Sequence, residues 1–213
     1  LKHEIPAHGH AHRADYIFTA IRLAKEFDID YVIIHATEGH LIADELLEDN
    51  ARTIVGPVIS ERCKPELRNH TIETAGVLNK AGVPMCICTD HPVVPEQYLP
   101  LSAGLAVRGG LDRDEALKAI TIYPAQITGI ADRVGSIEVG KDADIVIYDP
   151  TKDFTITNDK MHSDCDHTIW EGIKVKGYPE ATYSRGKLVF KDGEFLGERG
   201  WGKFIKRSSS GNL

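Results

Sequence analysis

Three short apolar runs near the start of the chain each stop on a metal-binding type of side chain. They are Ile5-Pro6-Ala7-His8-Gly9-His10, Tyr31-Val32-Ile33-Ile34-His35 and Val83-Pro84-Met85-Cys86-Ile87-Cys88-Thr89-Asp90, the last leading into His91-Pro92. Between them the apolar spacing is helical. Ile17, Ile21, Leu23, Ala24 and Phe27 mark an amphipathic helix over 14–27. Strand and helix signals that alternate in this way are the mark of βαβ units. Ligand-type residues at the C-terminal ends of successive parallel strands are how a (β/α) barrel builds an active site. The pattern therefore constrains the first part of the chain to an α/β fold with its chemistry on one rim.

The remaining elements follow the same rhythm. A short acidic helix is predicted over 41–48, a third strand over 52–60 interrupted by Gly56-Pro57, and a helix over 71–81 stopped by Gly82. The strand into Asp90 completes four βα units. From Leu99 the texture turns to helices over 99–108, 112–120 and 121–130, with Asp112 and Glu115 placed as a capping box. Strands are then expected over 144–148, 181–184 and 188–191, with Asp192-Gly193 as a hairpin turn. The predicted domains are a barrel part over 1–133, a small β-sandwich over 134–195 and a C-terminal tail over 196–213.

Composition excludes some function classes. A net charge of -7 argues against non-specific nucleic-acid binding, and the basic end at Lys203, Lys206 and Arg207 reads as a solvated terminus. No apolar run approaches the roughly 20 residues of a membrane span. Four cysteines in a chain of 213 residues do not make a disulfide framework. Cys86 and Cys88 read as small core residues, in keeping with a cytoplasmic setting. A small-molecule substrate is the expected partner, with no nucleic acid and no membrane.

Imidazole and carboxylate are the ligands of a catalytic divalent metal, which holds a water and lowers its pKa towards about 7. A single strand-end histidine is usually a core residue, whereas two with an aspartate in consecutive units point to a site. His10, His35 and Asp90 are therefore the expected metal ligands, and Asp90 is the expected proton shuttle. His8 shares the face of His10 and is assigned to packing or support. His12 and Arg13 either face substrate or sit in a solvated loop. His40 caps or supports, or joins His12, Arg13 and His91 in contacting substrate. His3, His70, His162 and His167 read as surface residues.

These residues resemble the amidohydrolase superfamily of metal-dependent hydrolases. His10, in His10-Ala11-His12-Arg13-Ala14-Asp15, is similar to the family's strand 5 ligand. His35, in Ile34-His35-Ala36-Thr37-Glu38-Gly39-His40, is similar to its strand 6 ligand, and Asp90 to its strand 8 aspartate. The string from Gly135 to Asp144 resembles the family's return to a small β-sandwich. Residues 1–148 look like the imidazolonepropionase-related branch, and the tail, with Ser184-Arg185-Gly186 and Gly200-Trp201-Gly202-Lys203-Phe204, looks like dihydropyrimidinases and hydantoinases.

The resemblance implies the C-terminal half, strands 5–8, of a (β/α)8 TIM-type barrel. The family's strand 1 H-x-H and strand 4 lysine have no counterpart here. A whole barrel takes about 250 residues, so the sequence predicts either a piece of a longer enzyme or one half of a complex. The implied cofactor is zinc, as one or two ions, and the implied partner is a homo-oligomer or the N-terminal half of the barrel. The implied activity is hydrolysis of a C–N bond in a cyclic amide of hydantoin, dihydropyrimidine or imidazolone type. Deamination or deacetylation by the same machinery is the alternative within the class. An inactive oligomerisation or scaffold piece is the alternative outside it.

Overall fold

A computed structural model of the chain describes residues 5–142, 144–162 and 165–201. The tail expected over 196–213 lies outside the described residues from Gly202 onward, as do the basic end and His3. The chain divides into two compact units, Leu1–Lys141 and Asp142–Leu213.

The first unit is α/β. Strands β1 (Ala7–Ala11), β2 (Tyr31–His35), β3 (Thr53–Val55) and β4 (Met85–Ile87) form one all-parallel sheet in sequence order. Helices α1 (Ala14–Glu26), α2 (Ala43–Glu48) and α3 (Thr74–Ala81) form the crossovers, and α4 (Leu99–Arg108), α5 (Arg113–Lys118) and α6 (Ile122–Ile127) follow. Strand alternation separates two faces. Ile33, Val55, Met85 and Ile87 turn towards the helices and pack with Ile17 and Ile21 of α1, Leu46 of α2 and Leu78 of α3. Ile17, Ile33, Leu46 and Leu78 are fully buried. Each such side chain removed from water stabilises the fold by roughly 1.5–3 kcal/mol. The opposite face carries His8, His10, Val32, Ile34, Ile54 and Cys86, related by the register His8↔Val32, His10↔Ile34↔Ile54↔Cys86.

Local chemistry explains where elements stop. The predicted strand over 52–60 is only three residues long, because Gly56-Pro57 interrupts it and Pro57 has no N–H for a ladder. Gly56 has φ +145°, and a Cβ there would lie 2.2 Å from the Cys88 carbonyl oxygen, so β3 and β4 can approach only at glycine. Gly82 ends α3 with φ +85° in the left-handed region. On the outer edge of β4 the Ile87 N–H donates to the Ala119 carbonyl oxygen at 2.9 Å, so the loop after α5 covers part of that edge. The predicted capping box is half made. Asp112 accepts from the N–H groups of Asp114 and Glu115, but the Glu115 carboxylate turns away to Asn79, Lys118 and Tyr123.

The unit boundary falls after Lys141, later than the composition suggested. Gly135 lies so close to Ile122 and Ala125 that a Cβ would meet the Ala125 side chain at 2.8 Å, which ties the 134–141 stretch to the helices. In the second unit β5 (Ile145–Thr155), β6 (Lys174–Ser184), β7 (Lys187–Lys191) and β8 (Glu194–Phe195) form an antiparallel meander. The expected small sandwich is, among the described residues, a single sheet. The Asp192-Gly193 turn is as predicted, with φ +51° and +92° matching the mirror-image turn that suits a hairpin. No helix among the described residues is long and apolar enough to cross a membrane.

Candidate metal centre

The C-terminal ends of β1 and β2 bring three imidazoles together. The rings of His10 and His35 are 4.4 Å apart, His12 stacks on His35 at 4.4 Å, and His10 meets His12 edge-on at 5.0 Å. One ligand atom from each lies within 4.8 Å of the others. His10 and His12 share a face of β1 and its extension. His35 does not reach that face by simple alternation, since its parity is that of Ile33. Its φ of +77°, followed by +43° at Ala36, breaks the extended path at the strand end. A non-glycine residue costs energy in that region, and such strain is characteristically held at functional sites.

Hydrogen bonds fix the tautomers of two of the rings, His35 and His12. His35 Nδ1 lies 2.6 Å from the Gly56 carbonyl oxygen, which can only accept, so Nδ1 carries the proton and the Nε2 lone pair is free. His12 Nδ1 donates to Thr37 Oγ1 at 2.8 Å, and its Nε2 accepts from Lys64 Nζ at 3.1 Å. A ligating histidine usually has its other nitrogen held in this way, which sets both tautomer and ring orientation. Burial lowers the pKa of His35. Burial, with His35 and Lys64 adding to it, pushes His12 down to about 4. Both rings are neutral at pH 7, the form that binds metal. Three imidazoles with ligand atoms this close together fit a catalytic zinc ion, which takes three protein ligands and leaves a position open.

Asp90 is exposed, with φ +56°, and stands outside the three-imidazole group. Regular pairing of β4 ends at Ile87, so the extended path expected to run into Asp90 stops before it. Its negative charge nevertheless opposes the burial effect on His35. His91 is exposed beside it. Arg13 ends the loop before α1, paired with Asp15 at 2.9 Å and lying over the Tyr16 ring. His40 is held between the Thr37 carbonyl oxygen and Thr74 Oγ1, and its pKa is lowered by burial. His8 shares the face of His10 and is exposed. Burial pushes Cys86 up to about 12 and Cys88 up to about 11, so both are thiols, as expected of core residues.

Sequence reading gave no role to Glu38, Thr37, Lys64 or Asn69. Glu38 is buried, accepting from the Ala14 N–H and from Asn69 Nδ2, both at 2.8 Å. It thereby caps α1, whose N-cap residue Arg13 makes no side-chain cap, and ties the segment after β3 to the site. The available signal was a carboxylate three residues beyond a strand-ending histidine.

Comparison with known proteins places these features in context. The model of the amidohydrolase family matches residues 2–189. Over 116 residues the chain is 35% identical to the D-hydantoinase of Ralstonia pickettii, a match that takes in 54% of this chain and 25% of that enzyme. An amidohydrolase structure from Thermotoga maritima superposes with a TM-score of 0.71 at 39% identity, covering 87% of this chain and 43% of that one. An adenosine deaminase from Xanthomonas campestris, solved with bound zinc, superposes with a TM-score of 0.56 at 22% identity over 90% of this chain and 46% of that one, a likeness of fold. The match thus spans about a quarter of the curated hydantoinase and under half of either solved structure.

Proposed function

The chain belongs to the amidohydrolase family, and from that premise we propose that it supplies the metal centre of a hydrolase that cleaves a C–N bond in a cyclic amide of hydantoin, dihydropyrimidine or imidazolone type. The observation that carries the proposal is the convergence of His10, His12 and His35, with His12 and His35 each held through Nδ1. The three imidazoles would hold one divalent cation, zinc by the chemistry of the donor set. When bound, that ion acidifies a water and polarises a carbonyl. Asp90 takes the proton of the attacking water and delivers it to the leaving nitrogen, a role that an exposed carboxylate beside His35 can fill. We assign substrate contact to His91 first, because it adjoins Asp90 in sequence and is exposed, and then to Arg13 and His40. An apolar groove of about 540 Å³ between Ile59, Cys63, Val93 and Tyr98, next in sequence to Lys64 and Asp90, suits an apolar substituent on the ring.

The same reading takes β1–β4 as strands 5–8 of a barrel. Their parallel sequential order supports it, as does the exposure of His8 and His10 on the face opposite α1–α3. On that reading the other strands of the barrel would come from the same polypeptide or from a second, N-terminal chain, and a homo-oligomer is the alternative partner.

Hydrolysis of hydantoin and dihydrouracil, followed by ring absorbance in the zinc-loaded protein, tests the activity. Turnover of either ring that disappears in Asp90→Asn while zinc is retained is the expected result. Unchanged turnover in Asp90→Asn removes Asp90 from the mechanism.

A further inference from the structure

Lys64 is the one cation hydrogen-bonded to the imidazole cluster among the described residues. Its Nζ lies 3.1 Å from His12 Nε2, and the other nitrogen of that ring is committed to Thr37. A neutral imidazole has a single lone pair, so Nε2 cannot accept from an ammonium and ligate a metal at once. An ammonium at that distance also repels a divalent cation placed among the same rings. We propose that Lys64 is a latch on the metal centre: its side chain and the metal exchange at His12 Nε2, and loading the site releases the ammonium to solvent.

The surroundings restrict the movement to the side chain. The Lys64 carbonyl oxygen accepts from the Leu67 N–H at 3.0 Å, opening the short turn Pro65–Leu67, and Leu67 is buried. Asn69, further along the segment, is anchored on Glu38. The backbone is thus held on the C-terminal side of Lys64, whereas Lys64 itself is exposed and its flexible four-carbon stem can swing outward. The latch would hold His12 in the orientation a metal needs while keeping the lone pair from other donors. It also sets a threshold for loading, since each ion bound must break this hydrogen bond.

The inference rests on the metal-centre reading, and zinc affinity separates the two. Zinc dissociation constants are measured by competition with a chromophoric chelator at one pH and ionic strength, for the full chain and for Lys64→Met and Lys64→Arg. Lys64→Met is expected to bind about tenfold more tightly, the factor for no longer breaking one hydrogen bond to a charged donor. Lys64→Arg, which keeps a cation and a donor, is expected to stay nearer the parent. In the unsubstituted chain, acylation of Lys64 by an amine-reactive ester, read by peptide mass spectrometry, is expected to accelerate on adding zinc. This second readout does not depend on any variant folding. Equal affinity in Lys64→Met, or labelling indifferent to zinc, would overturn the latch. Weaker binding in Lys64→Met would also overturn it and would make Lys64 part of what holds the metal. Zinc bound by none of the three proteins would remove the metal centre itself.

Discussion

The two units use their apolar residues differently. In the first, the helix-facing side of a parallel sheet closes over a continuous core in which Ile17, Ile33, Leu46 and Leu78 are inaccessible to water. In the second, Ala181 is the one buried apolar side chain among the described residues, while Val146, Ile147 and Tyr148 of β5 are 57%, 45% and 54% exposed. A βαβ crossover lays its own helix on the sheet it connects, so each strand arrives with its cover. An antiparallel meander carries no such cover, and its stability rests on cross-strand contacts such as Phe154 stacked on Tyr178 at 4.0 Å. The cluster of His10, His12 and His35 stands on the better-covered sheet, at the ends of its first two strands.

The contrast can be broken at several points. The largest effect belongs to the first core. Leu78→Ala should cost about 2–5 kcal/mol, while Val146→Ala on the exposed face should stay within about 0.5 kcal/mol, both by urea unfolding. Comparable losses at the two positions would mean that the second unit is covered in solution. Next is the support of the site. Thr37→Val removes the acceptor of His12 Nδ1 and should weaken zinc binding by about 10–100-fold, by chelator competition, with little change in unfolding. An unchanged affinity would show that packing alone orients His12. In the second unit, Gly193→Ala puts a Cβ on a residue with φ +92° and should cost about 1–2 kcal/mol, seen as loss of the β7–β8 hairpin amides in hydrogen exchange.

The smallest effect is electrostatic and confined to the first unit. Hydrogen bonds from Lys118, Tyr123 and Asn79 hold the Glu115 carboxyl down to about 2, below its usual 4.5. A carboxylate whose folded pKa is depressed adds stability that is complete above its unfolded pKa and fades as pH falls towards the folded value. The thermal midpoint gap between the parent and Glu115→Gln should therefore be widest above pH 5 and shrink towards pH 2. A gap independent of pH would show that Glu115 acts by shape rather than charge.

Much of the first unit was legible because period and punctuation agree there. Tyr31–His35 and Leu99–Arg108 are as predicted to the residue, and α1 differs by one position at its C-terminus. Strand ends were harder to read. Gly56-Pro57 cuts β3 short, and left-handed backbone at His35 and Asp90 redirects side chains that simple alternation would place elsewhere. His12 stands in the cluster because alternation along the extension of β1 keeps it on the face of His10, whereas sequence spacing favoured Asp90 as the third partner. The supports Thr37, Glu38, Lys64 and Asn69 reach the site through side-chain hydrogen bonds from loops, which leave no periodic trace. In the second unit, β5 and β6 run far beyond the predicted 144–148 and 181–184 because pairing between them continues through bulges that apolar alternation does not mark.

His10, His12 and His35 are proposed to form one metal centre on the rim of the parallel sheet. X-ray absorption at the zinc edge of the loaded protein, compared with His35→Ala, tests it most directly. The account predicts scattering from three imidazoles at about 2.0–2.1 Å in the parent, and loss of the ion in the variant. Zinc with no imidazole in its coordination shell, or equally well held after His35→Ala, would contradict it.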